Sequence, residues 1–327
     1  MTVSPVLPTV DLLTLGETMG SIRTTRPLRL GGTMSMSLGG AETNVAIGLA
    51  RLGHTVRWAG RLGDDDVGQF ALRTLRAESV LVDAVRIDGA RPTGMMLLES
   101  RAAGVSRASY YRAGSAGSAL HAADLEAAVD SGCRILHVTG ITPALSETAA
   151  EATVTAARRA RAAGSTVSFD VNFRSALWSA HRATEVLSQL AVMTDVMIAS
   201  EDELSLVTPP GLGEEEAVLH LGALGVRDVV IKRGADGATA WTLAGGTVAS
   251  VEHREALRVP VVDTVGAGDA FSAGYLSAVL DGLPLGARLD RGVALGAFAV
   301  ADGTDWEGLP TRRDLDLAGL PSGTIIR

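Results

Sequence analysis

Asp263-Thr264-Val265-Gly266-Ala267-Gly268-Asp269-Ala270-Phe271, running into SAGYLSAVL, is the most informative stretch of this 327-residue chain. Gly266, Ala267 and Gly268 are small residues at the opening of a helix. Backbone N–H groups without intrahelical acceptors and the positive end of the helix dipole favour an anion there. A carboxylate at Asp269 then lies beside that anion. If the anion is a phosphoryl group in transfer, Asp269 takes the proton of the attacking hydroxyl while the amides hold the spreading charge. The tetrapeptide GAGD alone leaves the plainer alternative open, a glycine-rich turn with an ordinary Asp in the first helical turn.

The chain leading to this stretch alternates strands and helices. Short apolar runs at 12 to 17, 56 to 60, 135 to 139, 166 to 171, 195 to 200 and 228 to 232 predict strands. Helical spacing of apolar residues predicts helices over 42 to 52, 67 to 77, 145 to 163, 178 to 192, 213 to 224, 267 to 281 and 285 to 301. Near-continuous apolar strands separated by helices indicate an α/β fold with a parallel sheet covered on both faces, and ligands at the carboxyl ends of its strands. Residues 18 to 38 and 91 to 113 break the alternation with short β-like pieces that can pair into a small separate sheet. Residues 237 to 252 read as a hairpin turning at Gly245-Gly246.

Composition limits the function classes. A net charge of −8 and a pI near 5.3 disfavour a nucleic-acid surface, so an anionic substrate needs local positive charge. The single Cys133 excludes an internal disulfide framework and suits a reducing cytoplasm. No uninterrupted apolar run is long enough to span a membrane, and MTVSPVLPTV lacks the charged start of a signal peptide. Of 29 basic residues only Lys232 is a lysine, at the end of the strand DVVIK. It is not in a Walker A loop, which requires Gly-Lys-Ser/Thr, and no HRD or DFG string accompanies it. The six histidines show no metal-ligand spacing.

Other residues carry chemistry in a plausible order. Gly39 and Gly40 permit close backbone approach to a ligand, and Asn44 offers both donor and acceptor to a ligand hydroxyl. Tyr110 and Arg112 alternate onto one strand face, with Tyr111 on the other, so a ring and a guanidinium can meet an acidic ligand together. Arg174, four residues after Asp170 at a strand end, is a second candidate for the same carboxylate. Ser200-Glu201-Asp202-Glu203 follows a strand and reads as a capping box opening a helix.

The string DTVGAGDAF resembles the second signature of the PfkB, or ribokinase-like, carbohydrate kinases. Gly39 to Asn44, running into VAIGLARLG, is similar to the family's N-terminal signature, and RLGDDDVGQF to the segment that follows it. Within the family, YYRAGSAGSAL from Tyr110, FDVNFRSALW from Phe169 and DWEGLPTRRDL from Asp305 resemble 2-keto-3-deoxygluconate kinases most closely.

The resemblance implies a ribokinase-like three-layer sandwich with a central, mostly parallel sheet, as one domain over 1–327. The insertions at about 18–38 and 91–113 would form a small β lid and often a dimer contact, hence a homo-oligomer. It implies ATP and Mg²⁺ as partners and leaves a monovalent cation open. Asp269 would be the base, with Gly266, Ala267 and Gly268 as the anion hole. Gly39, Gly40, Asn44, Tyr110, Arg112, Arg174 and Asp305 would bind the sugar or sugar acid. Lys232, Gly234, Ala235, Asp236, Gly237 and Ser200 would meet the nucleotide, and Glu203 would help hold Mg²⁺ through water. Ser200 stands where relatives usually have Asn, and Val293 replaces another Asn near the adenine. A fructose, ribose or nucleoside kinase of the same fold is the alternative, and a catalytically silent sugar-binding regulator is the alternative of another class.

Overall fold

The computed structural model describes residues 7–100 and 106–319. Its strands are β1 (Val10–Leu15), β2 (Met19–Thr24), β3 (Met34–Gly39), β4 (Val56–Ala59), β5 (Arg61–Gly63), β6 (Arg86–Asp88), β7 (Met95–Ser100), β8 (Ser106–Tyr111), β9 (Cys133–Thr139), β10 (Thr166–Asp170), β11 (Val196–Ser200), β12 (Asp228–Lys232), β13 (Ala238–Ala244) and β14 (Thr247–Arg254). Its α-helices are α1 (Ala41–Arg51), α2 (Asp66–Ala77), α3 (Ala122–Asp130), α4 (Glu147–Ala162), α5 (Ala180–Ala191), α6 (Glu214–Ala223), α7 (Ala267–Leu280) and α8 (Leu285–Val300).

Eight strands form the main sheet, in the order β14-β13-β12-β11-β10-β9-β1-β4. From β12 to β4 every pairing is parallel, and the hairpin β13–β14 closes the other edge antiparallel. Successive side chains of a strand point to opposite faces. Leu13, Leu136, Val167 and Val229 therefore pack with α3 to α6, while Leu12, Ile135 and Val230 pack with α1, α2, α7 and α8. Burial on both faces explains why these strands read as continuous apolar runs. The result is the expected three-layer sandwich.

The segments that broke the alternation form a second sheet, β3-β2-β7-β8, with a small buried cluster of Met19, Met96 and Leu98. Its strands fall within the expected insertions, except that β3 runs one residue further, to Gly39; residues 101–105, part of the second insertion, lie outside the described residues. The hairpin turns at Gly245-Gly246 as expected.

Two local expectations need correction. Ser200 to Glu203 opens no α-helix: a turn leads to a short 3-10 helix, Leu204–Leu206. The Glu203 side chain does reach back to the Ser200 amide, at 2.8 Å, but it also accepts from Phe173 N–H at 2.6 Å, so it ties two loops together rather than starting a helix. Helix α3 was not anticipated. Only Leu125, Ala128 and Val129 of its nine residues are buried, too short a stripe to stand out in the sequence. No helix among the described residues is long and apolar enough to cross a membrane.

Candidate active site

The parallel strands bring Glu17, Thr139, Asp170, Ser200 and Lys232 to one edge of the sheet, at or just past their carboxyl ends. Helix α7 begins over this edge. Its N-cap is Gly266 at φ +78°, a left-handed conformation that glycine adopts without steric cost. A Cβ on Gly266 would come within 2.4 Å of the Asp305 carbonyl oxygen, so the turn and the 305 loop are pressed together. The Ala267 amide closes this turn onto Thr264 O at 3.3 Å, and Ala270 N–H bonds Gly266 O at 2.9 Å. The Gly266, Gly268 and Asp269 amides have no backbone acceptor and are the free donors of this helix start, while the Ala267 N–H is already taken by the turn.

Asp269 is the most constrained group at this edge. Asn44 Nδ2 donates to its Oδ2 at 2.8 Å, and Asn172 Nδ2 to its Oδ1 at 3.2 Å. Asn172 has φ +39°, uncommon for a residue other than glycine and the kind of local strain that gathers at functional sites. Burial pushes the Asp269 carboxyl above its ordinary range; the Asn44 hydrogen bond, Lys232 and Arg174 oppose the shift, and Asp170 adds to it.

Two cavities meet at the Gly266–Asp269 turn. The larger, about 570 Å³, is mainly apolar; Leu257, Val261, Phe271, Val293 and Ala297 line it together with Lys232, Gly234, Ala235, Gly237 and Gly268. Val293 thus presents a methyl-lined wall. The turn at Gly234–Asp236 is a single 3-10 turn closed by Gly237, where a Cβ would collide with Arg254 O. Asp236 points into solvent, and neither it nor Ser200 lines either cavity; Ser200 Oγ donates to Asp202 instead, at 2.7 Å. Lys232 Nζ lies 2.7 and 2.9 Å from the Asp170 oxygens, and Ser272 Oγ donates to Asp170 at 2.9 Å. Burial pulls the Lys232 ammonium down, but Asp170 and Glu203 outweigh it and keep the group charged.

The smaller cavity, about 130 Å³, brings together Gly40, Asn44, Tyr110, Arg112, Arg174, Asp269 and Asp305. Gly39 does not line it but allows Met96 and Asp305 to close on its backbone. Arg112 is already paired, with its Nη2 2.6 Å from Glu17 Oε2 and its guanidinium 5.6 Å from the Tyr110 ring centroid. Arg174 is exposed at the rim and donates to the Phe173 carbonyl at 3.0 Å; among the described residues it pairs with no carboxylate. Burial raises the Glu17 carboxyl, against the pull of Arg112 and Ser115. Asp305 is pushed up to about 6 by burial, with Arg23 opposing.

Several of these groups escaped the sequence reading. Glu42 sits inside the GGAETN stretch and is fully buried, its Oε1 accepting from Thr139 at 2.7 Å and Thr142 at 2.6 Å. Burial raises it to about 7. A charged residue in the second position of an otherwise apolar helix was the available signal. Asn172 sits in the FDVNF stretch and Glu17 at the end of the first strand run. Arg23 had no local signal.

No cluster of three or more His, Cys, Asp or Glu side chains poised for a metal occurs among the described residues. The acidic groups here fit a Mg²⁺ held through phosphate oxygens and waters rather than in a protein cage. Glu203 has both oxygens taken by backbone amides and lines neither cavity.

The model of the pfkB family carbohydrate kinases matches residues 11–312. The chain is 39% identical over 312 residues to a 2-dehydro-3-deoxygluconokinase of Bacillus subtilis, covering 94% of each protein. It is 33% identical over 321 residues to a 2-dehydro-3-deoxygluconokinase of Thermoproteus tenax, covering 95% of each. Among solved structures, a PfkB protein from Polaromonas sp. JS666 superposes with a TM-score of 0.83 at 36% identity, over 94% of this chain and 99% of that one. With a matching family model over nearly its whole length, and a relative 39% identical over 94% of the chain, the chain belongs to the pfkB family of carbohydrate kinases.

Proposed function

We propose that the protein transfers the γ-phosphoryl group of ATP to a primary hydroxyl of a sugar acid, 2-keto-3-deoxygluconate (2-dehydro-3-deoxygluconate). The observation that carries this reading is the Gly266–Asp269 turn, whose Gly266 and Asp269 line a small cavity with two arginines and whose Ala267 and Gly268 line a larger apolar cavity with the lone lysine. The names of the Bacillus and Thermoproteus relatives support the same substrate.

The polar cavity takes the sugar. Asn44 and Asp305 meet its hydroxyls, Tyr110 covers one face, and Arg112 and Arg174 meet its carboxylate. Because Glu17 already balances Arg112, Arg174 supplies the free positive charge, while Arg112 supplies fixed donors. The apolar cavity takes the base and ribose, with Gly234, Ala235 and Gly237 in its lining.

Asp269 accepts the proton of the attacking hydroxyl, and its raised affinity for protons suits it to that task. Asn44 and Asn172 fix the carboxylate by holding both oxygens. The free amides of Gly266, Gly268 and Asp269, with the remaining ammonium proton of Lys232, hold the phosphate charge as it accumulates. Mg²⁺, when bound, supplies charge compensation across the phosphate oxygens.

The small sheet serves as the lid of the sugar cavity within a single domain. Met34 and Met36, exposed on its edge strand β3, suit pairing of two copies as a dimer. The cytoplasm is the compartment that fits these substrates.

A coupled ADP-release assay with sugar acids and neutral sugars tests the reading. Turnover with 2-keto-3-deoxygluconate, lost in Arg174→Ala through a raised KM, is the expected result. Preference for fructose, ribose or a nucleoside would replace the substrate while keeping the kinase.

A further inference from the structure

Arg23 lies outside every motif in the sequence, yet it touches both sides of the site. It stands on β2, opposite Ser35 of β3 and Leu98 of β7. Its Nη1 donates to Asp263 Oδ2 at 2.6 Å and its Nη2 to Asp305 Oδ1. The contact is sheltered, with side-chain exposures of 15% for Arg23 and 3% for Asp305. Asp263 begins the glycine-rich turn and accepts from Val265 N–H at 3.1 Å. Asp305 lines the sugar cavity, and its backbone presses on Gly266. One cation of the small sheet therefore clamps two carboxylates of the main body, one that begins the glycine-rich turn and one whose backbone presses on it.

An ionised carboxylate only accepts hydrogen bonds, whereas protonation turns one of its two oxygens into a donor and removes the charge that Arg23 pairs with. Three charged groups face Asp305: Arg23 from β2, Asp269 from α7 and Glu307 from its own loop. Burial and the two acids favour the protonated form, and Arg23 alone among the three opposes it.

We propose that Arg23 is a positioning residue for sugar recognition: it holds the Asp305 carboxylate as an acceptor aimed into the sugar cavity, and so links closure of the small sheet to the readiness of that cavity. This rests on the reading of Asp305 as a sugar contact.

The test compares kcat/KM for the sugar against pH in the wild type, Arg23→Lys and Arg23→Gln, with thermal unfolding measured in parallel. It uses whichever acceptor the sugar panel identifies, so a wrong substrate and a wrong role for Arg23 give different results. In Arg23→Gln, KM at neutral pH rises about tenfold, as expected for one lost charge-assisted hydrogen bond, while kcat changes far less. The acid limb of the profile moves up by about one pH unit. Arg23→Lys recovers most of both. A variant that melts earlier but keeps the wild-type limb and KM would show Arg23 to be merely structural and overturn the proposal. If Arg23→Gln does not fold, Asp263→Asn tests the same geometry by leaving Arg23 to Asp305 alone. The limb then moves to lower pH, and an unmoved limb contradicts the proposal.

Discussion

Asn44 Nδ2 lies 2.8 Å from Asp269 Oδ2, although 225 residues separate the two in the chain. The contact joins the GGAETN stretch to the glycine-rich turn and stabilises the ionised form of the carboxylate. Replacing Asn44 by Leu removes a donor that lowers the Asp269 pKa, so the group becomes harder to ionise. We expect kcat at neutral pH to fall about 10- to 100-fold and the acid limb of kcat to move upward. A pH–rate profile checks this, and a limb at its wild-type position would show that Asn44 does not act through Asp269.

Lys232 and Asp170 form a buried pair within a helix–sheet seam. Lys232→Met leaves Asp170 with Ser272 Oγ as its remaining hydrogen-bond donor. Stability should fall by about 3 kcal/mol, the usual cost of breaking a buried pair from one side, and KM for ATP should rise. The double variant Lys232→Met/Asp170→Asn should regain much of the stability but not the ATP affinity. Recovery of both together would remove Lys232 from the nucleotide site.

Glu42 links the fold to pH. Burial raises its carboxyl from 4.5 to about 7 in the folded chain. The folded state therefore holds this proton more tightly than the unfolded state. Its contribution is fully present below the unfolded value and is lost as pH rises through the folded one. The wild type should lose about 3 kcal/mol relative to Glu42→Gln over that interval. Denaturant melts of both proteins across the interval measure the difference, and parallel curves would be the contrary outcome.

Gly266→Ala places a methyl where Asp305 O already sits, on a backbone at positive φ. The expected cost is about 1–3 kcal/mol from backbone strain. Turnover should fall more steeply than stability, because the anion hole and the sugar loop move together. Wild-type activity in this variant would mean that the turn tolerates the displacement.

The layers of the sandwich were readable because buried strands and amphipathic helices leave periodic patterns, and β12 and α7 fall within a residue of their expected ends. Asn44 and Asp269 were readable because each follows small residues at the opening of a helix. Arg23, Glu17 and the partner of Lys232 were not, since their contacts span between 62 and 282 residues of chain and depend on which strand edges meet. Arg112 shows the limit most clearly. Its type and position suggested a free cation for a carboxylate, whereas Glu17 had already claimed its charge.

The central claim is that Asp269 is the base of the transfer. Single-turnover and steady-state rates of Asp269→Asn, with sugar binding measured separately by calorimetry, test it most directly. The account predicts a kcat lower by about 10²- to 10⁴-fold with sugar affinity nearly unchanged. Turnover close to wild type in a folded Asp269→Asn enzyme would contradict it.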